Sequence, residues 1–398
     1  MGDVAGIVGG GTPSTKKSEY WNGNINWFTP AEIGNQIFVS HSQKQITELG
    51  LLKSSAKILP AGTILFTSRA GIGNTAILTR NACTNQGFQS IVPYSNKLDS
   101  YFIYSESAKL KRYGETMGSG STFTEVSGKQ MKKMSLHIPN INEQAKIGNM
   151  LKILDQTITL HEEKEHQLEQ LKSALLQKMF ADKSGYPAVR FEGFDEVWKH
   201  QKFSDIVKGL QNNTLSRSEL NYECGTVKNI HYGDILTKFG EFIDASKTSL
   251  PYISDNTKAD KFEKSFLKDG DIVIADTAED DTVGKCVEIQ GSEHLKISAG
   301  LHTIACRPKQ QYGSKYLGCY FNSPVYHNQL HPLMQGIKVT SISKSSIQNT
   351  DVYIPQSVAE QSKIGDVLSK IDSLISLNQR EVKKLSIIKQ SLLQKMFI

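Results

Sequence analysis

Residues 143–180 read EQAKIGNMLKILDQTITLHEEKEHQLEQLKSALLQKMF, and residues 360–397 read EQSKIGDVLSKIDSLISLNQREVKKLSIIKQSLLQKMF. At an offset of 217 they align without a gap, with 17 identities in 38 positions and LLQKMF common to both. Upstream the match continues at an offset of 216: Gly120 with Gly336, Thr124 with Thr340, Ser127 with Ser343, and Ile138-Pro139 with Ile354-Pro355. A fainter echo joins Asp3-Val4 to Asp205-Ile206. The chain is a duplication, a globular domain followed by a helix, twice over; two units are too few for a solenoid.

Apolar residues in each repeated segment recur at spacings of four and three. The first copy has Ile147, Leu151, Leu154, Ile158, Leu168, Leu175 and Met179, and the second has Ile364, Leu368, Ile371, Ile375, Val382, Leu385, Leu392 and Met396. This is a heptad-like seam on a long helix, roughly 57 Å for about 38 residues at 1.5 Å each. A helix with one apolar stripe needs a partner, and the nearest is its own duplicate. Because each domain precedes its helix, antiparallel pairing predicts two like domains at opposite ends of a spacer, related by a pseudo-two-fold axis. His161 and Asn378 hold equivalent seam positions. They are expected either to meet near that axis and fix the register, or to lean into solvent.

The organisation expected is a first domain over 1–140, a helical spacer over 141–180, an extended connector over 181–202, a second domain over 203–355 and a distal helix over 356–398. Short apolar runs between Gly-rich turns, at 62–67, 76–78, 270–275 and 299–304, predict strands, and 99–113 predicts helix. Each domain is therefore mixed α/β, or α+β.

The 398 residues carry 46 Lys and Arg against 40 Asp and Glu, a net charge of +6. The excess sits in residues 1–140, with 14 basic and 8 acidic residues, whereas 201–355 has 17 and 18. A second domain that bound a polyanion would have to gather its lysines on one face. No uninterrupted apolar run is long enough to span a membrane, and the first residues do not form a signal peptide or a myristoylation site. A cytoplasmic location is expected. The cysteines, Cys83, Cys224, Cys286, Cys306 and Cys319, show no C-x-x-C pair, so buried thiols are expected rather than disulfides or a metal site.

GGGTPST (9–15) with Tyr20-Trp21-Asn22-Gly23, GTILFTSRAGIG (62–73) and TNQGF (84–88) resemble a target recognition domain of type I restriction–modification specificity subunits. GDIVIADTAEDD (270–281), AGLHTI (299–304) and KVTSISKSSI (338–347) resemble the family's other common domain type. RFEGF (190–194) resembles its lead-in, and EQxKIG…LLQKMF its helical regions. The likeness spans nearly the whole chain. It implies a non-catalytic subunit that reads a bipartite double-stranded DNA target, one half-site per domain. It also implies two modification subunits and restriction subunits as partners, with S-adenosylmethionine, ATP and Mg in those partners and no cofactor in this chain. The alternative is a coiled-coil adaptor that does not touch DNA.

No catalytic set emerges. Asn322-Ser323-Pro324-Val325-Tyr326 has one proline and a misplaced aromatic for an adenine-holding methyltransferase loop, and Gly9-Gly10-Gly11-Thr12 lacks the lysine of a phosphate loop. Glu279-Asp280-Asp281 reads first as a solvated loop and second as an acceptor for a cytosine amino group. The DNA-contact candidates in the first domain are Thr12, Ser14, Lys16, Lys17, Arg69, Asn85, Gln86, Ser119 and Ser121. Those in the second are Lys228, His231, Lys285, His302, Lys338 and Thr340. Arg69 suits guanine and Asn85 or Gln86 suits adenine, because their paired groups match those base edges; Lys16 and Lys17 suit phosphates. For each, an ordinary surface or turn role competes, and for His302 a core role. Leu176, Met179, Phe180, Leu393, Met396 and Phe397 are read as packing of the helix ends, as docking points for the modification subunits, or as both at once.

Overall fold

The computed structural model describes residues 1–34, 36–69, 71–118 and 125–397. It forms two compact units, Met1–Glu162 with Arg380–Ile398, and Glu163–Gln379.

The first unit holds a five-stranded sheet in the order Ala5–Gly9, Gln89–Pro93, Ile64–Phe66, Thr75–Leu78, Phe38–Val39. Every pairing is antiparallel except the last. The second unit repeats it with Val207–Gly209, Thr303–Pro308, Ile272–Ala275, Cys286–Gln290 and Phe242–Asp244, again antiparallel except the last pair. The central runs, Ile-Leu-Phe, Thr-Ala-Ile-Leu and Ile-Val-Ile-Ala, are buried along their whole length. Strands covered on both faces read as continuous apolar runs rather than alternating ones. A smaller sheet in each unit contains one parallel pair, Trp27-Phe28 beside Cys83-Thr84 and Lys228–Ile230 beside Ile297–Ala299. The duplication thus extends through the domains, where the sequences have diverged.

Two expectations need correction. The run 299–304 is not one strand: Ala299 ends a strand in one sheet, Thr303 begins a strand in the other, and the chain turns between them. That turn puts His302 in the left-handed region at φ 54°. The helical stretch 99–113 is two helices, Ser100–Ser105 and Ser107–Gly118. Along the connector, Trp198 is buried in the second core and Lys199–Lys202 pairs with Asp351–Ile354.

The long helices run Ile141–Lys178 and Val358–Met396, and each unit contains half of each. In the first unit Asp155 pairs with Lys389. In the second, Lys172 pairs with Asp372 at 2.7 Å and Gln379 donates to Glu165 at 2.8 Å. The residue numbers of the three pairs have one common sum, as an antiparallel register requires.

The EQxKIG motif joins each helix to its domain. Gln144 accepts from the Asp99 backbone at 3.0 Å and donates to the Pro139 and Lys97 carbonyls at 2.8 and 3.1 Å. Its duplicate Gln361 accepts from Gly313 N at 2.7 Å and donates to the Pro355 carbonyl at 2.8 Å. Gly148 and Gly365 let a second chain segment come close: a Cβ on Gly365 would lie 2.4 Å from the Ser314 carbonyl oxygen. The repeated sequence is the joint between helix and domain.

Met179 and Phe180 are buried in the second core, Phe180 against Tyr316 and Tyr320, and Leu176 packs against the same cluster. Leu393, Met396 and Phe397 pack on the first core, with Phe397 5.0 Å from Phe102. Met179 and Phe180 are thus packing residues of the second core, while Leu176, Leu393, Met396 and Phe397 are half-buried against their clusters and keep part of their apolar surface exposed. Asn378 is buried and donates to its own helix, at the Leu374 carbonyl, while His161 is half-buried.

Candidate nucleic-acid interface

Shared backbone hydrogen bonds put the two domains in correspondence. Asn85 N donates to the Phe28 carbonyl as Gly300 N does to Ile230. Ser68 N donates to Gly87 as Asp276 N does to His302, and Val126 N donates to Ser68 as Ile342 N does to Asp276. The Gly-rich hairpin loop around Arg69 is therefore the counterpart of the loop around Thr277, and Asn85–Gly87 the counterpart of Gly300–His302.

In the first domain Arg69 and Asn85, both half-buried, line a cleft of about 500 Å³ with Thr29, Pro30, Asn74 and Gly87. A capping box formed by Thr29 and Glu32 fixes one wall. Asn85 turns its side-chain oxygen onto Gly87 N, accepting from it at 2.8 Å. Gln86 is exposed and meets the Thr12 hydroxyl. Thr12, Arg69, Asn85 and Gln86 are thus gathered at one place. Gly10 and Gly11 explain the glycine run beside them: a Cβ on Gly10 would lie 1.9 Å from the Asn85 carbonyl oxygen. Ser14, Lys16 and Lys17 are exposed on the neighbouring loop, with the Lys17 ammonium 5.2 Å from the Tyr20 ring centre. Ser119 and Ser121 lie outside the described residues.

The second domain fills the corresponding place differently. The rings of His231, Tyr232 and His302 follow one another at 4.7 and 5.4 Å. His302 is exposed, which removes the core-histidine reading. His231 is buried and accepts from Gly233 N at 3.1 Å as a helix cap. Burial, then the nearby Arg217, lowers its pKa. It is a structural neighbour of the loop, not an exposed reader. Arg217, which no sequence motif singles out, forks onto buried Asp234 at 2.6 and 2.7 Å behind it; bidentate pairing is the strong form of such contacts.

Thr340 pairs opposite Ala278, and exposed Lys338 lies in the adjoining turn beside Ile337, which is 100% exposed. A bare isoleucine beside this loop cluster is a feature that hydrophobic patterning does not flag, because a lone exposed apolar residue is common. Lys285 departs from expectation: its ammonium donates to the Leu236 carbonyl at 3.1 Å, and burial lowers its pKa. Lys228 is half-buried, with its ammonium over the Tyr252 ring. The acidic run is a solvated loop, in which Asp280 accepts from Thr282. Asn322 bonds to Cys286, and Tyr326 is buried, so the segment resembling a methyltransferase loop is structural.

The two places share a position in the fold and differ in chemistry, guanidinium and amide in one, imidazole and hydroxyl in the other. One frame thus presents two different sets of polar side chains on its loops, as a recognition module does.

Comparison with known proteins agrees with this class. The profile of the family described as "Type I restriction modification DNA specificity domain" matches residues 1–170 and 196–386. The chain belongs to that family and carries the domain twice. Among curated proteins it is 33% identical over 231 residues to the type I restriction enzyme MjaIX specificity subunit of Methanocaldococcus jannaschii, covering 56% of this chain and 54% of that one. It is 32% identical over 168 residues to the EcoR124I/EcoR124II specificity subunit of Escherichia coli, covering 40% of each. The chain thus spans about half the length of the curated relatives it matches, or less. The crystal structure of the type I restriction–modification S subunit from M. genitalium has the same fold. The TM-score is 0.59 and the identity 15%, covering 100% of this chain and 94% of that one. Among the described residues no helix is long and apolar enough to cross a membrane.

Proposed function

We propose that this chain is the specificity subunit of a type I restriction–modification complex. It reads a bipartite double-stranded DNA target, one half-site per domain, and does no chemistry itself. The observation that carries the proposal is the duplicated reader: one loop cluster, held by the same backbone hydrogen bonds in both domains, bearing Arg69, Asn85 and Gln86 in one and Thr277, His302 and Thr340 in the other. Side chains with paired donors and acceptors discriminate base edges in the major groove, and the exposed Lys16, Lys17 and Lys338 would hold phosphates.

In this reading two modification subunits supply methyl transfer with S-adenosylmethionine, and restriction subunits supply ATP- and Mg-dependent cleavage, all in the cytoplasm. His161 and Asn378 remain proposed contributors to helix register. The scaffold alternative accounts for the helices but not for the duplicated loop cluster. Sequencing methylated bases in DNA from cells that carry this chain and its modification partner tests the proposal. A single split motif with two fixed half-sites is the expected result; methylation without a motif, or none, overturns it.

A further inference from the structure

In the second domain one hydrogen-bond chain fixes which nitrogen of His302 carries its proton. The Thr277 hydroxyl donates to Asp276 Oδ1 at 2.8 Å. The same hydroxyl oxygen lies 3.3 Å from His302 Nδ1, and Asp276 Oδ1 lies 3.4 Å from that nitrogen. A hydroxyl has one hydrogen, and the shorter, charge-assisted bond to the carboxylate takes it. Nδ1 therefore faces a hydroxyl lone pair and a carboxylate oxygen, both acceptors, and must itself be the donor. In the neutral ring this leaves Nε2 with a bare lone pair, since the partner of one nitrogen sets the state of the other.

Three further features hold that ring at the surface. The His302 side chain is 47% exposed. Tyr232 meets its ring nearly edge-on at 5.4 Å and 75°. The backbone sits at φ 54°, a conformation unfavourable for a non-glycine residue that persists only when the surroundings hold it. The turn from one sheet to the other imposes it, and the side chain emerges at the place that Gly87 holds in the first domain.

We infer that His302 Nε2 is a hydrogen-bond acceptor for the exocyclic amino group of one base, adenine N6 or cytosine N4, in the half-site read by the second domain. In the major groove only those two groups donate; guanine O6 and N7 and thymine O4 accept. An outward lone pair selects amino-bearing bases and rejects guanine and thymine at that position. Asp276 and Thr277 act through His302 as positioning residues. The inference rests on the DNA-reading function proposed above.

The test uses the complex of full-length chain and modification subunits on a duplex carrying its target, as found by methylation sequencing. Each adenine of the half-site is replaced in turn by purine, and each cytosine by 2-pyrimidinone, removing one amino group at a time. At one position the loss is expected to weaken binding by roughly tenfold, the scale of one hydrogen bond. In His302→Asn, which suits a left-handed backbone but is too short to reach, the same replacement is expected to change nothing further. Coupling to a guanine probed with 7-deazaguanine, or to no base, overturns the inference while leaving specific binding, and so the proposed function, intact. A complex that ignores its target altogether overturns the function instead. Independently, nitrogen-15 imidazole spectra of the unbound chain are expected to show the His302 proton on Nδ1; a proton on Nε2 overturns the assignment.

Discussion

Asp155 and Lys389 form an ion pair between the two long helices, and the duplication repeats it as Asp372 with Lys172, each residue 217 positions from its counterpart. Both are among the 17 identities of the repeat. Asp155 is buried and also accepts from Tyr101 at 2.7 Å. Lys172 also reaches Glu241 at 2.6 Å. Burial works against its charge, but the two carboxylates hold its pKa above the ordinary lysine value. Asp372 is pushed up, by burial above all and by the neighbouring Glu241 charge, against the pull of Lys172.

Removing one partner of a buried pair strands the other charge, which costs more than the pair contributes. Lys389→Met is expected to destabilise the first unit by about 2–4 kcal/mol, somewhat below the buried-pair range because its side chain is 32% exposed. Lys172→Met strands two carboxylates and is expected to cost the second unit about 3–5 kcal/mol. Hydrogen exchange in each unit separates the two effects. Equal small losses in both would show that the pairs do not hold the register.

These pairs also mark how far the sequence can be read. The duplication is legible because residues that join helix to domain are under the same packing demand in both copies. The apolar residues of the identical LLQKMF ends are buried or half-buried, those of 175–180 on the second core and those of 392–397 on the first, so packing is at least part of their meaning. Asp155 and Lys172 are visible as identities, but a charge on a heptad helix reads as a solvated face until its partner is known. His302 is legible as a candidate and not as a mechanism, since its positive φ arises where two sheets exchange a chain. Lys285 misleads because a lysine near an acidic loop gives no hint of the Leu236 carbonyl behind it. The common strand order is hidden altogether, because apolar runs conserve burial and not identity.

The glycines of the two joints are expected to differ in tolerance. A Cβ on Gly365 would press on the Ser314 carbonyl at 2.4 Å, which is backbone and cannot step aside. On Gly148 the nearest atom, at 2.6 Å, is the Asp99 carboxylate oxygen, the end of a side chain. Gly365→Ala is expected to cost about 1–3 kcal/mol, the range for overpacking. Gly148→Ala is expected to cost less, mainly through the Asp99 cap on Phe102 N. Urea unfolding of the two variants checks the order; the reverse order would show that the Asp99 cap dominates.

Glu288 gives the second unit a pH dependence. Burial pushes its carboxyl up to about 7, although Gly318 N, Lys315 N and Gln290 donate to it. The folded state then keeps a proton that the unfolded state, with an ordinary carboxyl, releases from about pH 4.5 upward. Stability from this group is full below about pH 4.5, falls as pH rises to about 7, and is level above that. The fall is expected to reach up to about 3 kcal/mol. Hydrogen exchange at Cys286–Gln290 between pH 5 and 8, corrected for intrinsic rates, measures it. Glu288→Gln should flatten the profile; an unchanged profile would assign the dependence elsewhere.

Arg69 and the Lys16–Lys17 pair are expected to fail in different ways, because one lines a cleft and the others stand exposed beside it. A base-reading arginine holds one edge bidentately, so Arg69→Ala should cost about 1–3 kcal/mol at one base pair and relax the choice there. The other half-site should still be read as before. A phosphate-holding lysine carries no sequence information. Replacing Lys16 and Lys17 with Ala should weaken binding evenly across sequences and lower the slope of log K against log salt by roughly 0.9 for each phosphate no longer neutralised. The Lys17 effect should be the smaller, since Glu19 at 4.0 Å already offsets part of its charge. Titrating the complex against matched and single-mismatch duplexes at several salt concentrations separates specificity from slope. Should Arg69→Ala change only the slope, its guanidinium holds the backbone, and the base contacts of the first domain fall to Asn85 and Gln86.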